Sequence, residues 1–495
     1  MSTPAVAPDS RPGSGSSRRI ARNTFARASG EAVAKAASLV LYVTMARELG
    51  SEGFGTFMFA LALTGALIIG AGFGTDELTA REVARDRSRA SRYLSNVTAI
   101  KALTSVVLLG AAVALVLLGD YSTESRLAVC IVGVGVALEV MSRTSYALFE
   151  AHERLGLVSR SVIIQRVLTA IVGIAVLRAG GGVVAVSFVF AAGALVGLVA
   201  AELSVRRLGV RRTTPDPSSW PALVRAGLPI GLAGLLFVLL LRLDVTLLSF
   251  LAGEAEVGLY AAAYRLVEGT QFIAWAASAA MLPWLARAEG TGAWFGLSRA
   301  LELGLKVLAA LLLPITVACI VFAEQLVDLL YGAAFRDSVA PLQLLALTCT
   351  LYGVQALLST AFIARDSPWA FARLVGVAVV LNVVANLLLI PPYGAAGSAA
   401  AALASSLALT ILGLALTRRR VGRIRLPRAF GGPLAAALVM AAVGAAVPGP
   451  FALRAAAAFV AYVVVLIGFE RAVFTDDTRE IWKAIELRAA SPASR

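Results

Sequence analysis

Long apolar segments follow one another along this chain with little between them, and that pattern constrains its fold more than any other feature. Splitting the sequence at charge clusters and at Gly/Pro/Asp turns yields about fourteen such segments, each close to the ~20 residues a helix needs to cross ~30 Å of hydrocarbon. Hydrophobic residues make up 59% of the chain and charged residues 15%. A soluble domain carries about 25% charged residues, and none could bury this much apolar surface. Within lipid each backbone polar group must be satisfied internally, which segments of this length achieve as helices. The sequence therefore predicts an all-α integral membrane protein of about 14 transmembrane helices.

Loop charge tests that parse. The even-numbered connections and both tails hold most of the 44 lysines and arginines, among them Arg81, Arg85, Arg87, Arg206, Arg207, Arg211, Arg212, Arg418, Arg419 and Arg420. The odd-numbered connections are acidic: Asp120, Glu124, Glu254, Glu256, Asp328 and Asp337. By the positive-inside rule, this asymmetry predicts a multi-pass protein of the cytoplasmic membrane with both termini in the cytoplasm. The net charge of +14 is then a topological signal suited to anionic lipids, and nucleic acid is not an expected partner.

The chain also repeats itself. Gly50, Gly55 and Phe57 in ARELGSEGFGTFMFA match Gly253, Gly258 and Tyr260 in SFLAGEAEVGLYAAA at one offset. A second echo pairs FEAHERLGLVSR (149–160) with FIARDSPWAFAR (362–373). Internal repeats of this kind mark transporters, whose substrate site lies between the halves. The expected organisation is a disordered arm over 1–23, a six-helix bundle over 24–203, a linker over 204–221 and a second six-helix bundle over 222–417. Two additional helices follow within 429–474, then a tail over 475–495.

Several predicted helices carry ionisable residues, each costing several kcal/mol at mid-bilayer unless it faces protein or a watery cavity. Arg27, Glu31 and Lys35 are spaced to share one face of the first helix. Lys35 lies about 18 Å in from the cytoplasmic end, at 1.5 Å per residue. Arg166 falls mid-way along the fifth helix, Arg242 and Asp244 on the seventh, and Arg265 and Glu268 on the eighth. Glu139 with Arg143, and Glu302 with Lys306, are spaced as salt bridges one turn apart. Intramembrane cations outnumber anions in this count, which predicts a polar interior suited to an anionic ligand such as a phosphate. Gly227, Pro229, Gly231 and Gly234 mark close helix approach or a hinge in the seventh helix.

Catalytic signatures are missing from the sequence. No GxxxxGK[ST] loop is present, GAGFGTDE (70–77) lacks a βαβ context, and the three cysteines lie singly in apolar runs. The expectation is a transporter rather than an enzyme, with no cofactor and with the coupling ion, H+ or Na+, left open.

The segments ARELGSEGFGTF (46–57), LDVTLLSFLAGEAEVGLYAAAYRLVE (243–268) and LVDLLYGAAFRDSVAPLQLLA (326–346), on a 6+6+2 plan, resemble the polysaccharide biosynthesis flippases. These belong to the multidrug, oligosaccharidyl-lipid and polysaccharide exporter superfamily, and the resemblance covers about residues 20–475. It implies two bundles in a V that rock about a central cationic cavity. It also implies transfer of a polyprenyl-pyrophosphate-linked oligosaccharide from the inner to the outer leaflet, alongside other polysaccharide-assembly proteins. Arg27, Glu31, Lys35, Arg242 and Asp244 match the family in kind. The lipid II branch carries an FAEGAF-like motif in helix two, where this chain reads GTFMFALALTGALIIGAGFGTDE (55–77). That departure points to a polysaccharide repeat unit. The alternatives are an ion-coupled antiporter of small organic cations, which would need an acidic cavity, and a membrane glycosyltransferase or polymerase, which would need large outer loops.

Overall fold

The computed structural model describes residues 14–290, 294–365 and 368–473; within these, the side chains of 14–29, 229–230, 232–242, 286–290 and a few single positions lie outside the described set. The described residues are almost entirely helical. The first half holds α1 (Ser14–Ile69), α2 (Thr75–Arg85), α3 (Ala90–Leu118), α4 (Thr123–Ala151), α5 (Leu155–Arg178) and α6 (Val183–Arg207). The second half holds α7 (Trp220–Ala252), α8 (Glu254–Gly290), α9 (Trp294–Val321), α10 (Ala323–Leu330), α11 (Val339–Ala364) and α12 (Pro368–Arg420). Two more helices follow, α13 (Leu426–Ala446) and α14 (Phe451–Val473).

Ten helical stretches among the described residues are long and apolar enough to cross a membrane. Two of them are double length. α1 has 56 residues and α12 has 53, and they break at Gly50 (φ 70°) and Gly394 (φ 53°). Glycine reaches this left-handed backbone without a Cβ clash, so the chain reverses there. Counting both helices twice and adding α7 and α8 recovers the fourteen crossings. Apolar side chains also face outward, with Val106 69%, Leu118 91% and Val464 62% exposed, as on a surface wetted by lipid.

Three details depart from the sequence reading. α1 begins at Ser14, inside the stretch expected as a disordered arm, and continues through Arg18, Arg19, Ala21 and Arg22, residues of high helix propensity. Residues 1–13 and the tail beyond 473 lie outside the described residues. α2 and α10, at 11 and 8 residues, fall where loops were expected. Both are too short to span a bilayer.

Core packing differs between the two ends of the bundle. At the end with acidic loops one continuous core joins the halves: Leu41, Phe57, Phe59, Val136 and Phe190 pack with Leu248, Tyr260, Leu345 and Ile390. At the arginine-rich end the halves have separate cores, around Leu94, Leu148, Phe149 and Val205 in one and Leu301, Leu357, Leu358 and Leu409 in the other. The last two helices attach to α9 through a further cluster with Phe322, Met440 and Tyr462. The Tyr462 hydroxyl donates to the Ala310 carbonyl at 2.9 Å, and Lys306 Nζ lies 2.8 Å from Glu470 Oε2.

The duplicated sequence motif makes the seam of the joined end. A Cβ added at Gly55 would fall 1.7 Å from the Glu254 carbonyl oxygen, and one added at Gly258 would fall 1.9 Å from that of Ser51. Ser51 and Gly55 are the repeat equivalents of Glu254 and Gly258, so the two copies grip each other reciprocally about a pseudo-two-fold axis. Only glycine permits this approach of backbones. Arg47 Nε adds a 2.7 Å hydrogen bond to the Leu330 carbonyl, and its Nη2 reaches that of Leu329. The expected small-residue contact on α7 is also present, since a Cβ at Gly227 or Gly231 would strike the Phe73 backbone.

Candidate functional site: a charged cavity in the first half

A cavity of about 740 Å³ lies among α1, α2, α4, α5 and α8. Exposed Glu77, Arg143 and Glu150 line it toward the arginine-rich end, and Arg166 and Arg265 line its interior. Tyr42, Tyr146, Ser38, Ser142 and Gln165 contribute further polar groups.

Helix geometry sets the charges. Glu139 on α4 points at α5, where its Oε1 accepts from Arg166 Nη2 at 3.0 Å and Gln165 Nε2 at 2.6 Å. Arg265 on α8 pairs with Glu268 one turn on, at 2.6 Å. Its guanidinium also lies 4.2 Å from the centroid of the Tyr42 ring on α1, a cation–π contact between the halves. Lys101, fully buried, donates to Asp76 Oδ1 and to the Val140 carbonyl at 3.0 Å.

Lys35 differs from these. Half-buried on α1, its Nζ stands 5.7 Å from the centroid of the Phe272 ring, with no carboxylate within 4 Å among the described residues. Arg143 is likewise without an ion pair among the described residues, because Arg166 and Gln165 occupy the Glu139 carboxylate expected to hold it. Arg143 is a cavity-lining cation that sequence reasoning set aside; its spacing to Glu139 suggested a local pair. Asp76, Glu77 and Glu150 also went unremarked because they lie at helix ends.

The structure thus gathers Glu31, Lys35, Arg166, Arg265 and Glu268 in one cavity. The side chains of Arg27 and Arg242 lie outside the described residues. Asp244 stands apart from the cavity in a buried polar cluster of the second half, where it accepts from Tyr260 Oη at 3.0 Å and Asn386 Nδ2 at 2.9 Å. Ser398 Oγ donates to Asn386 Oδ1 at 3.0 Å, and Asn382 Nδ2 to Ser405 Oγ at 3.2 Å. No cation pairs with Asp244 among the described residues.

Among the described residues the lining is mixed in charge, and Arg27 and Arg242, two of the cations expected there, lie outside them. The described cavity lining holds six carboxylates (Glu31, Asp76, Glu77, Glu139, Glu150, Glu268) against four cations (Lys35, Arg143, Arg166, Arg265). Lys306, one of the intramembrane cations counted above, pairs with Glu470, and Lys101, on the third helix, pairs with Asp76 inside protein. The Glu302 carboxylate expected to face Lys306 receives the Arg425 backbone N–H at 2.7 Å. Cationic character at the cavity is therefore local, at Lys35 and Arg143.

A multi-pass bundle of two related halves around a polar cavity defines a membrane transporter, and the comparisons place its fold in the multidrug, oligosaccharidyl-lipid and polysaccharide exporter superfamily. The profile of the polysaccharide biosynthesis protein family matches residues 20–289, and the chain belongs to that family. The MatE profile matches residues 229–388. The probable low-salt glycan biosynthesis flippase Agl15 of Haloferax volcanii is 22% identical over 379 residues, covering 74% of this chain and 77% of that protein. Among solved structures, the lipid II flippase MurJ in an inward closed conformation superposes with a TM-score of 0.76 at 14% identity, covering 90% of this chain and 99% of MurJ. An inward-facing multidrug resistance MATE family transporter superposes with a TM-score of 0.66 at 18% identity, covering 80% and 98%.

Proposed function

We propose that this protein moves a polyprenyl-pyrophosphate-linked oligosaccharide, a polysaccharide repeat unit, from the inner to the outer leaflet of the cytoplasmic membrane by alternating access. The observation that carries this reading is the pair of cations, Lys35 and Arg143, which among the described residues have no ion pair in a cavity where Arg166 and Arg265 each hold a carboxylate. A lysine at this depth and a forked guanidinium together suit a diphosphate, while the surrounding carboxylates, tyrosines and Ser142 suit sugar hydroxyls. The arginine-rich end is the cytoplasmic one, so the cavity faces the leaflet where such lipids are assembled. The glycan-flippase relative supports the substrate class. Asp244, a buried carboxylate held by neutral donors, is the group assigned to the coupling ion, H+ or Na+.

The test is deletion of the gene in its host, with lipid extraction and mass spectrometry. The expected outcome is a lipid-pyrophosphate-linked oligosaccharide accumulating on the inner leaflet and a loss of surface polysaccharide. A second reading, export of small organic cations by ion antiport, is favoured by the six carboxylates of the lining and by the MATE-like fold. Unchanged surface glycan together with raised sensitivity to cationic dyes, and ion-driven dye efflux in proteoliposomes, would establish that reading instead.

A further inference from the structure

A second concavity, of about 430 Å³, lies at the arginine-rich end where α6 hands over to the linker. Its floor is apolar: Leu94 of α3, Val205 of α6 and Val210 of the linker. Its rim is basic. Arg212 is spent, its Nε and Nη2 holding the two Glu202 oxygens at 3.0 and 2.7 Å, with Ser145 Oγ also donating to Glu202 at 3.1 Å. Arg206 and Arg211 are exposed and make no ion pair among the described residues. The site therefore presents two exposed guanidinium groups without an ion pair among the described residues, backed by the buried side chains of Leu94, Val205 and Val210.

The wall that carries Arg211 is fixed in place. The Thr213 backbone N–H donates to Ser95 Oγ at 2.8 Å, while the Asp216 backbone N–H and Trp220 Nε1 donate to Asn96 Oδ1 at 2.7 and 3.0 Å. α6 has 25 residues, so at 1.5 Å per residue it exceeds ~30 Å of hydrocarbon and brings its last turn to headgroup depth. Basic pockets between helices at this level hold anionic lipid headgroups, and a planar guanidinium grips phosphate in a fork.

We propose that this concavity binds the phosphate headgroup of an anionic phospholipid from the leaflet at the arginine-rich end, held by the exposed guanidinium groups of Arg206 and Arg211. The occupant bridges α6 and the linker that joins the two halves, so its binding stabilises the linker against α3. The site is independent of the transported substrate.

The experiment uses the full-length protein purified in mild detergent, supplied in turn with phosphatidylglycerol, phosphatidylcholine or inorganic phosphate, with thermal unfolding and native mass spectrometry as readouts. Phosphatidylglycerol is expected to raise the unfolding temperature above the phosphatidylcholine value, and a bound phosphatidylglycerol is expected to survive desolvation. The double variant Arg206→Gln/Arg211→Gln loses both effects. Arg418→Gln/Arg419→Gln, which removes equal charge from the same face, keeps them. Three results overturn the proposal: an unchanged phosphatidylglycerol response in the first variant, equal losses in both variants, or an equal response to inorganic phosphate alone. If the double variant does not accumulate, Arg211→Gln, a single change on the linker, reads the same outcomes.

Discussion

At the residue scale, the informative contrast is between cations that have a carboxylate and cations that lack one. Lys35 and Arg143 lack one among the described residues, so on the proposed reading their replacement removes substrate contacts without stranding a buried charge. Lys35→Ala and Arg143→Ala are each expected to lower glycan export about tenfold or more while protein level in the membrane holds, since a charge-assisted hydrogen bond contributes about 1.5–3 kcal/mol. Lys35→Arg and Arg143→Lys retain more. Export measured against membrane-protein level decides this; loss of protein in step with export would make both residues structural. Lys101 is the opposite case. Asp76→Ala leaves a fully buried ammonium without its counter-ion and is expected to destabilise the fold by about 3–5 kcal/mol. Thermal unfolding would show this, and Asp76→Asn/Lys101→Met should recover much of the loss. If Asp76→Ala unfolds at the wild-type temperature, the pair is not structural. That Glu31 and Lys35 share a face was legible from spacing, because neighbours on one helix are fixed by its period. The freedom of Arg143 was not legible, because Glu139 chooses between α4 and α5, a choice that depends on how two helices lie against each other.

At the element scale, the duplicated motif is a contact surface as well as a trace of duplication. Gly55 and Gly258 each sit against a carbonyl of the opposite copy, at the end of the bundle where the halves share one core. On the proposed alternating-access reading, this seam is the closed gate at the acidic-loop end. A leucine at Gly55 or Gly258 cannot enter it without pushing the helices apart. Each change is expected to abolish export and to expose the cavity from the outer side. The check is a Ser142→Cys probe in a background with Cys130, Cys319 and Cys349 replaced: labelling by a membrane-impermeant thiol reagent added outside should rise with Gly55→Leu. Unaltered labelling with normal export would mean that the seam does not close the pathway.

At the scale of the whole molecule, the halves share one core at the acidic-loop end, while at the arginine-rich end they keep separate cores and meet where the first turns of α7 lie against the backbone at Phe73. Reporter fusions after Arg87, Arg212 and Arg420 are expected to read the cytoplasm, and fusions near Ser122, Glu254 and Asp337 the outside. Identical readings at Arg212 and Glu254 would break the parse at α7. The last two helices stand on the second half through α9, where the Lys306–Glu470 pair and the cluster with Phe322, Met440 and Tyr462 hold them. They expose a large apolar surface, including Phe459 and Val464, to lipid.

The number of crossings, the repeat and the side on which each loop is expected to lie were readable from the residues alone, and the breaks at Gly50 and Gly394 are local features of the same kind. All of these are local quantities: apolar length, the φ freedom of a glycine, and the charge of a short loop. Only the tertiary structure decided which ions pair. It gave Glu139 to Arg166, Asp76 to Lys101 and Glu470 to Lys306, and so left Lys35 and Arg143 as the cavity cations without an ion pair among the described residues. Ion pairing varies over a few ångströms, and those distances are set by the packing between helices, which no single segment encodes.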